Sequence, residues 1–208
     1  MSQQSTALAR SAVDEACARR RGPGEAIADD AERVARACHA MAGRFHRGGK
    51  LVGFGNGGTT SDAQHVAVEF VHPVIVGKRA LPGISLTSDV ATLTGVANRD
   101  GFEEVFAHQL RYLGHPDDIA LGVSSDGRCA NVRRGLQVAK ERGLLTVALL
   151  GGDGGDIAAD PAVDHVLLAH TDDPRVAKEV HVTLYHLLWE LVHVFFEQPG
   201  VLSPEVLR

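Results

Sequence analysis

The chain has 208 residues, 44% of them hydrophobic, so it can bury a full core and is not expected to be disordered. A formal net charge of -5 and the lack of a basic block argue against a protein that grips nucleic acid through its phosphates. Cys17, Cys38 and Cys129 match no metal or disulfide framework, and no segment reaches the ~20 apolar residues of a membrane span. We therefore expect a soluble, cytoplasmic protein.

Two helices are predicted before the first strand, and they are expected to form a helical hairpin. The first spans about residues 5–20, a break lies at residues 21–24, and the second spans about residues 25–46. The second helix has a wide apolar face, which must pack on its own domain or on another subunit. We favour the subunit contact and assign residues 1–48 to oligomerisation and residues 49–208 to the main domain.

The main domain alternates predicted strands and helices. Five apolar runs are predicted strands: residues 51–54, 81–86, 118–123, 144–150 and 163–169. Helices are predicted between them, and a long helix covers about residues 175–196. This pattern is typical of an α/β protein with a parallel sheet covered on both sides, in which ligands bind at the carboxyl ends of the strands.

The first candidate site is the glycine-rich loop that follows the first strand. Gly55-Asn56-Gly57-Gly58 precedes a helix whose first residues carry hydroxyls, so backbone N–H groups there favour an anion or a sugar hydroxyl. The loop lacks the spacing G-x-G-x-x-G of dinucleotide-binding proteins, and no nucleotide cofactor is expected. Similar loops also occur in α/β proteins without any bound phosphate.

One turn into the same helix, His65 and Glu69 lie four residues apart and share one face. Such a pair is often only a solvated helix surface. Here Val66 and Phe70 flank the pair, and an unpaired carboxylate is costly in an apolar setting, which favours a functional role. A second polar loop, residues 124–127, follows the third strand and is expected at the same edge of the sheet.

Four blocks of the sequence resemble the bacterial phosphoheptose isomerases, which are sedoheptulose 7-phosphate isomerases of the sugar isomerase (SIS) superfamily. The blocks are GNGGTTSDAQH, ISLTSDVATLTGVAN, GFEEVFAHQLRYLG and KEVHVTLYHLLWEL. The resemblance implies a three-layer α/β/α sandwich around a five-stranded parallel sheet. It also implies a homotetramer with active sites at subunit contacts. The superfamily includes relatives that bind the replication initiator without being isomerases, so a non-catalytic sugar-phosphate-binding or protein-binding regulator is the alternative.

The implied reaction interconverts sedoheptulose 7-phosphate, or a longer homologue, with the corresponding aldose, D-glycero-D-manno-heptose 7-phosphate for the first. A proton moves between adjacent carbons through an enediol, which requires a base and an acid. By resemblance, Glu69 is the base and His186 the acid. The positions that correspond to substrate contacts are Asn56, Gly57, Gly58, Thr59, Asn98, Arg99, Ser124, Ser125, Asp126, Cys129 and Lys178.

Some members of the family hold zinc, at positions that correspond to His65, Glu69, Lys178 and His186. Lys178 stands where the family has glutamine, and a protonated lysine has no lone pair for a metal. This argues against a four-ligand zinc site, although the other three residues with water still satisfy zinc, and a small helix rotation would bring in Glu179 instead.

Other departures from the family pattern concern the substrate contacts. Four positions differ from the residues that the family has there: Pro73, Arg99, Asp126 and Cys129. These differences suggest that the acid/base pair is retained while the contacts to the substrate have changed. His181 is expected to be a packed or subunit-contact histidine, because it lies five residues before His186.

Asp62, in the first turn of its helix, is sufficiently explained as a partner of the helix dipole.

Overall fold

The computed structural model describes residues 3–73, 75–198 and 200–202 of the chain. Within them one parallel sheet has the strand order β2-β1-β3-β4-β5, with β1 at Leu51–Gly55, β2 at Gly83–Ser85, β3 at Ile119–Ser124, β4 at Leu145–Gly151 and β5 at His165–Ala169. All neighbouring strands pair in parallel, so the predicted five-stranded parallel sheet is confirmed.

Helices cover both faces of this sheet. They are α1 at Gln3–Asp29, α2 at Ala31–His46, α3 at Gly58–Val71, α4 at Val90–Asp100, α5 at Val105–Leu113, α6 at Ala130–Glu141, α7 at Gly155–Ala158 and α8 at Pro174–Glu197. Adjacent residues of a strand point to opposite faces. Thus Leu51 joins the core under α2, α3 and α8, whereas Val52 joins the core under α4, α5 and α6. The three-layer α/β/α sandwich is therefore confirmed.

The N-terminal helices are present, but their boundary differs from the prediction. α1 continues through Pro23 to Asp29, and α2 begins at Ala31, so the predicted break at residues 21–24 is wrong. Proline removes one backbone hydrogen bond and leaves a carbonyl without its partner. No described residue of α1 is buried, so water can hydrate that carbonyl and the helix tolerates the proline.

The two helices follow one another along α8 and do not fold back as a hairpin. Arg20 pairs with Glu179 near the start of α8, and the His39 ring packs on Phe195 near its end. The apolar face of α2 is buried inside its own chain, with Met41 fully enclosed. α8 and the sheet cover this face from Val34 onward, whereas Ile27 and Ala31 line an open apolar groove, so the subunit contact favoured for the face stays a prediction.

Among the helices that the structure describes, none is both long enough and apolar enough to cross a membrane.

Candidate active site

The β1–α3 loop is tied to the end of β3. The Asn56 backbone N–H donates to Oγ1 of Thr59 at 2.8 Å, and the same hydroxyl lies 3.1 Å from the Val123 carbonyl. A side chain at Gly55 would approach that carbonyl to 2.8 Å, and Gly57 has a positive φ of 53°. Only glycine fits both constraints without strain, which explains the glycine-rich sequence of the loop.

The side chain of Asn56 is held by a partner on α6. Its amide exchanges two hydrogen bonds with the amide of Asn131, at 2.7 and 2.9 Å. The predicted substrate contact therefore stands in a fixed orientation at the joint end of β1 and β3. Asn131 was missed in the sequence, because a pairing between distant positions leaves no local pattern.

The β3–α6 loop makes most of its hydrogen bonds to itself. Oγ of Ser124 accepts from the Gly127 N–H at 3.0 Å and lies 3.2 Å from Asp126 and 3.4 Å from the Cys129 sulfur. The Asp126 carboxylate also accepts from the Arg128 N–H at 2.9 Å. Asp126 is thus turned onto its own loop, where it caps N–H groups.

A polar stripe on α3 faces a polar stripe on α8. Tyr185 places its hydroxyl 2.7 Å from Nδ1 of His65, and burial raises the pKa of Tyr185, so the hydroxyl keeps its proton and donates it. Nε2 of His65 then carries the ring proton and donates to Oε1 of Glu69 at 3.0 Å. The Glu69 carboxylate is only 9% exposed, and this chain of hydrogen bonds fixes its orientation.

His186 completes this group from the next position of α8. Its Nε2 lies 3.8 Å from Oε1 of Glu69, and its ring centroid is 5.3 Å from that of His65. One donor atom each from His65, Glu69 and His186 lie within 4.8 Å of one another, which is close enough for a shared metal ion or a shared substrate. The structure thus brings together Glu69 and His186, the two residues to which the family resemblance assigns the proton transfer.

The two candidates for a fourth metal ligand are engaged elsewhere. Lys178 directs its ammonium to Oδ1 of Asp62 at 2.7 Å, the Gly58 carbonyl at 2.8 Å and Oγ of Ser61 at 3.1 Å. Glu179 pairs with Arg20 at 2.7 Å. Asp62 is only 2% exposed, so its role as a mere dipole partner is a wrong prediction, since a carboxylate this deep requires a counter-charge.

A cavity of about 190 Å³ opens where the two loops meet the start of α8. It is lined by Asn56, Gly58, Thr59, Ser125, Pro174, Lys178 and His181. His181 was expected to be packed or to contact a subunit. It is buried, as a packed residue would be, but it also forms part of the cavity wall. Burial lowers the pKa of His181, so its imidazole is neutral at neutral pH.

Two predicted substrate contacts lie away from this cavity. Asn98 and Arg99 are exposed near the end of α4, and the Arg99 guanidinium forms a two-pronged pair with Asp100 at 2.7 and 2.9 Å. Within the single chain they do not join the group around Glu69. Their assignment stays a prediction.

A helical spacing in the sequence could have revealed the stripe on α8. Lys178, His181 and Tyr185 are separated by three and four residues, which places them on one face of a helix. Gly58, Asp62, His65 and Glu69 show the same spacing on α3. Tyr185 was missed in the sequence because its pairing with His65, 120 residues away along the chain, is defined only by packing.

The first comparison with known proteins gives the class of protein to which the chain belongs. A family model described as the SIS domain matches residues 23–151 of the chain. The parallel sheet, its flanking helices and a polar site at the carboxyl ends of β1 and β3 agree with that match. The fold and the site together define a SIS-domain protein.

The relatives narrow this class. The chain is 40% identical over 205 residues to the phosphoheptose isomerase of Solidesulfovibrio magneticus, and the match covers 98% of each chain. It is 43% identical over 148 residues to the phosphoheptose isomerase of Pelobacter propionicus, and this match covers 71% of this chain and 77% of the relative. A solved phosphoheptose isomerase from Neisseria gonorrhoeae has a TM-score of 0.77 at 31% identity and covers 92% of this chain and 98% of that one. The Francisella tularensis structure has a TM-score of 0.78 at 28% identity, with coverages of 88% and 98%. The chain belongs to the phosphoheptose isomerase family.

Proposed function

We propose that the protein is an aldose–ketose isomerase that converts sedoheptulose 7-phosphate to D-glycero-D-manno-heptose 7-phosphate. The observation that supports this most directly is the convergence of Glu69 and His186, whose side chains approach to 3.8 Å. They lie farther along α3 and α8 than the residues that line the cavity at the carboxyl ends of β1 and β3, the edge where ligands bind in parallel sheets. The identity of the substrate is inferred from the family, and the proton-transfer groups are inferred from the geometry.

The proposed reaction begins with the Glu69 carboxylate. It removes a proton from C1 of the ketose while His186 protonates the carbonyl oxygen at C2, which gives the enediol. The proton then returns to C2 and the C1 hydroxyl loses its own, which leaves the aldehyde. The N–H of His65 holds one oxygen of Glu69, so the other oxygen is directed at the substrate.

The donor set of His65, Glu69 and His186 fits a zinc ion. Two imidazole nitrogens and one carboxylate oxygen, with the fourth position left to water or substrate, are typical of catalytic zinc sites. To bind the ion through Nε2, His65 would carry its ring proton on Nδ1 and donate it to the Tyr185 hydroxyl oxygen, which is the kind of partner that orients a ligand ring. A zinc ion held there would polarise the substrate carbonyl. Neither Lys178 nor Glu179 belongs to this proposed ligand set.

A homotetramer in the cytoplasm completes the proposal. The 27-residue helix α1 exposes Leu8 and Val13, and an apolar groove runs between it, α2 and Leu187 of α8. A long helix with little packing in its own chain is stabilised by packing on other subunits. The three cysteines are unpaired, which fits a reducing compartment.

The test is turnover by the purified protein. Incubation with sedoheptulose 7-phosphate should yield the aldose phosphate, detected by NMR. The Glu190→Gln variant, which changes an exposed glutamate of α8, should behave as the wild type. Metal analysis of protein purified without chelators should find about one zinc per chain. Absence of product from this ketose and from longer homologues would contradict the function, whereas absence of zinc would remove only the metal proposal.

A further inference from the structure

His181 is a buried polar residue whose hydrogen-bonding capacity is not used. It is 0% exposed, and neither Nδ1 nor Nε2 has a hydrogen-bond partner among the residues that the structure describes. The Leu150 carbonyl raises the pKa of the ring against the larger, lowering effect of burial, but neither ring nitrogen meets the distance and angle of a hydrogen bond with it. Buried polar groups are nearly always paired, so each orphan requires an explanation. A ring that only filled space would be replaced at a gain by an apolar one.

The surroundings of the ring point to a ligand. His181 lines the cavity together with the Ser125 hydroxyl and the amide-bearing Asn56. The Lys178 ammonium lines the same cavity one helix turn earlier. The carboxylate that holds this ammonium, Asp62, is buried behind it and is not part of the lining. A cavity lined by one cation and several neutral hydrogen-bonding groups favours an anion.

We propose that His181 is a substrate-binding residue whose imidazole N–H donates to a phosphoryl oxygen of the sugar phosphate, beside the ammonium of Lys178. This inference deepens the proposed function and rests on it for the identity of the sugar. The proposal adds His181 of α8 to the β3–α6 loop as a group that hydrogen-bonds the phosphate. The three N–H groups of the Lys178 ammonium are bonded to Asp62, Gly58 and Ser61, so Lys178 acts on the phosphate through its charge.

The spacing along α3 agrees with this placement. Asp62, which holds Lys178, lies seven residues before Glu69, which is ~10 Å along a helix at ~1.5 Å per residue. An extended seven-carbon sugar phosphate has a comparable length. Its phosphoryl group therefore occupies the cavity at His181 while its first two carbons lie at Glu69.

The test replaces the imidazole of His181 by the phenyl ring of phenylalanine, which is also flat and aromatic but has no nitrogen. We expect His181→Phe to weaken the binding of sedoheptulose 7-phosphate and of inorganic phosphate about tenfold or more, measured by calorimetric titration, because one charge-assisted hydrogen bond is lost. KM should rise more than kcat falls. His181→Asn, which keeps a donor, should recover part of the affinity. His46→Phe, at an exposed histidine of α2, is the control and should change nothing.

The unfolding temperature of the variants distinguishes a phosphate-binding role of His181 from a purely structural role. His181→Phe should unfold at the same or a higher temperature than the wild type, because it removes two unpaired nitrogens from a buried position. Lower stability with unchanged phosphate affinity would overturn the proposal, as would wild-type affinity in both variants. Phosphate binding is measured without turnover, so the proposal can fail or succeed even where the isomerase assay fails. If the phenylalanine variant does not fold, the asparagine variant must show weaker phosphate binding than the wild type for the proposal to stand.

Discussion

The contact between α3 and α8 has two ends that use similar residues differently. At the first end Asp62 is buried, and the ammonium of Lys178 lies 2.7 Å from its Oδ1 and balances the carboxylate charge. At the second end Glu69 faces two histidines, and the nearer contact, 3.0 Å to His65, leaves its second oxygen available. The difference shows that a carboxylate on a half-buried helix can be an anchor or a base, depending on whether its partner is a fixed cation.

The largest effect is expected from removing the base. Glu69→Gln should lower kcat by on the order of 10² to 10⁴, because an amide cannot accept the carbon-bound proton. His186→Asn should have an effect of similar order. The two residues act on one enediol, so the double variant should lose little more than the worse single variant. Multiplied losses in the double variant would show that the two groups act independently, which would contradict a shared site.

The second prediction concerns the anchor. Lys178→Met leaves Asp62 buried without its counter-charge, and removing one partner of a buried ion pair costs ~3–5 kcal/mol of the free energy of unfolding. The lysine side chain is 42% exposed, so we expect a smaller loss of ~1–3 kcal/mol in urea unfolding. Adding Asp62→Asn should restore most of it. If Lys178→Met is as stable as the wild type, the ion pair is not an anchor.

The third prediction concerns the orientation of His65. Tyr185→Phe keeps the buried ring but removes the hydroxyl that fixes the tautomer of His65. We expect activity to fall ~10-fold, the lower range for the loss of an outer-shell partner. Thermal unfolding of the variant checks that the fold is retained. Unchanged activity would mean that the hydrogen bond to Glu69 is sufficient to orient the His65 ring.

The smallest effect is expected at a carboxylate far from the site. Asp164, which precedes β5, is partly buried, yet hydrogen bonds from Lys140 and Thr146 outweigh that burial and lower the pKa of Asp164. A lowered pKa stabilises the fold above the unfolded value of ~3.9, and this stability is lost as pH falls through the folded value. Asp164→Asn should therefore remove ~1 kcal/mol at pH 7 and less at pH 3, measured by urea unfolding. An equal loss at both pH values would exclude the ionised form as the cause.

Local pattern was sufficient for much of the fold. The apolar runs predicted all five strands, and the i, i+4 spacing predicted that His65 and Glu69 share a face. The helix through Pro23 was not predictable, since the cost of a proline depends on whether its lost partner reaches water. The pair of Lys178 with Asp62 and that of Asn56 with Asn131 join positions that are far apart along the chain, and only packing defines them.

Hydrogen exchange between the sugar and solvent tests the account most directly. In heavy water the wild-type protein should place deuterium on C1 of sedoheptulose 7-phosphate and on C2 of the aldose product, and Glu69→Gln should place almost none there in the same time. NMR of the recovered sugar reads both results. Equal deuterium in the two samples would contradict the assignment of Glu69 as the base.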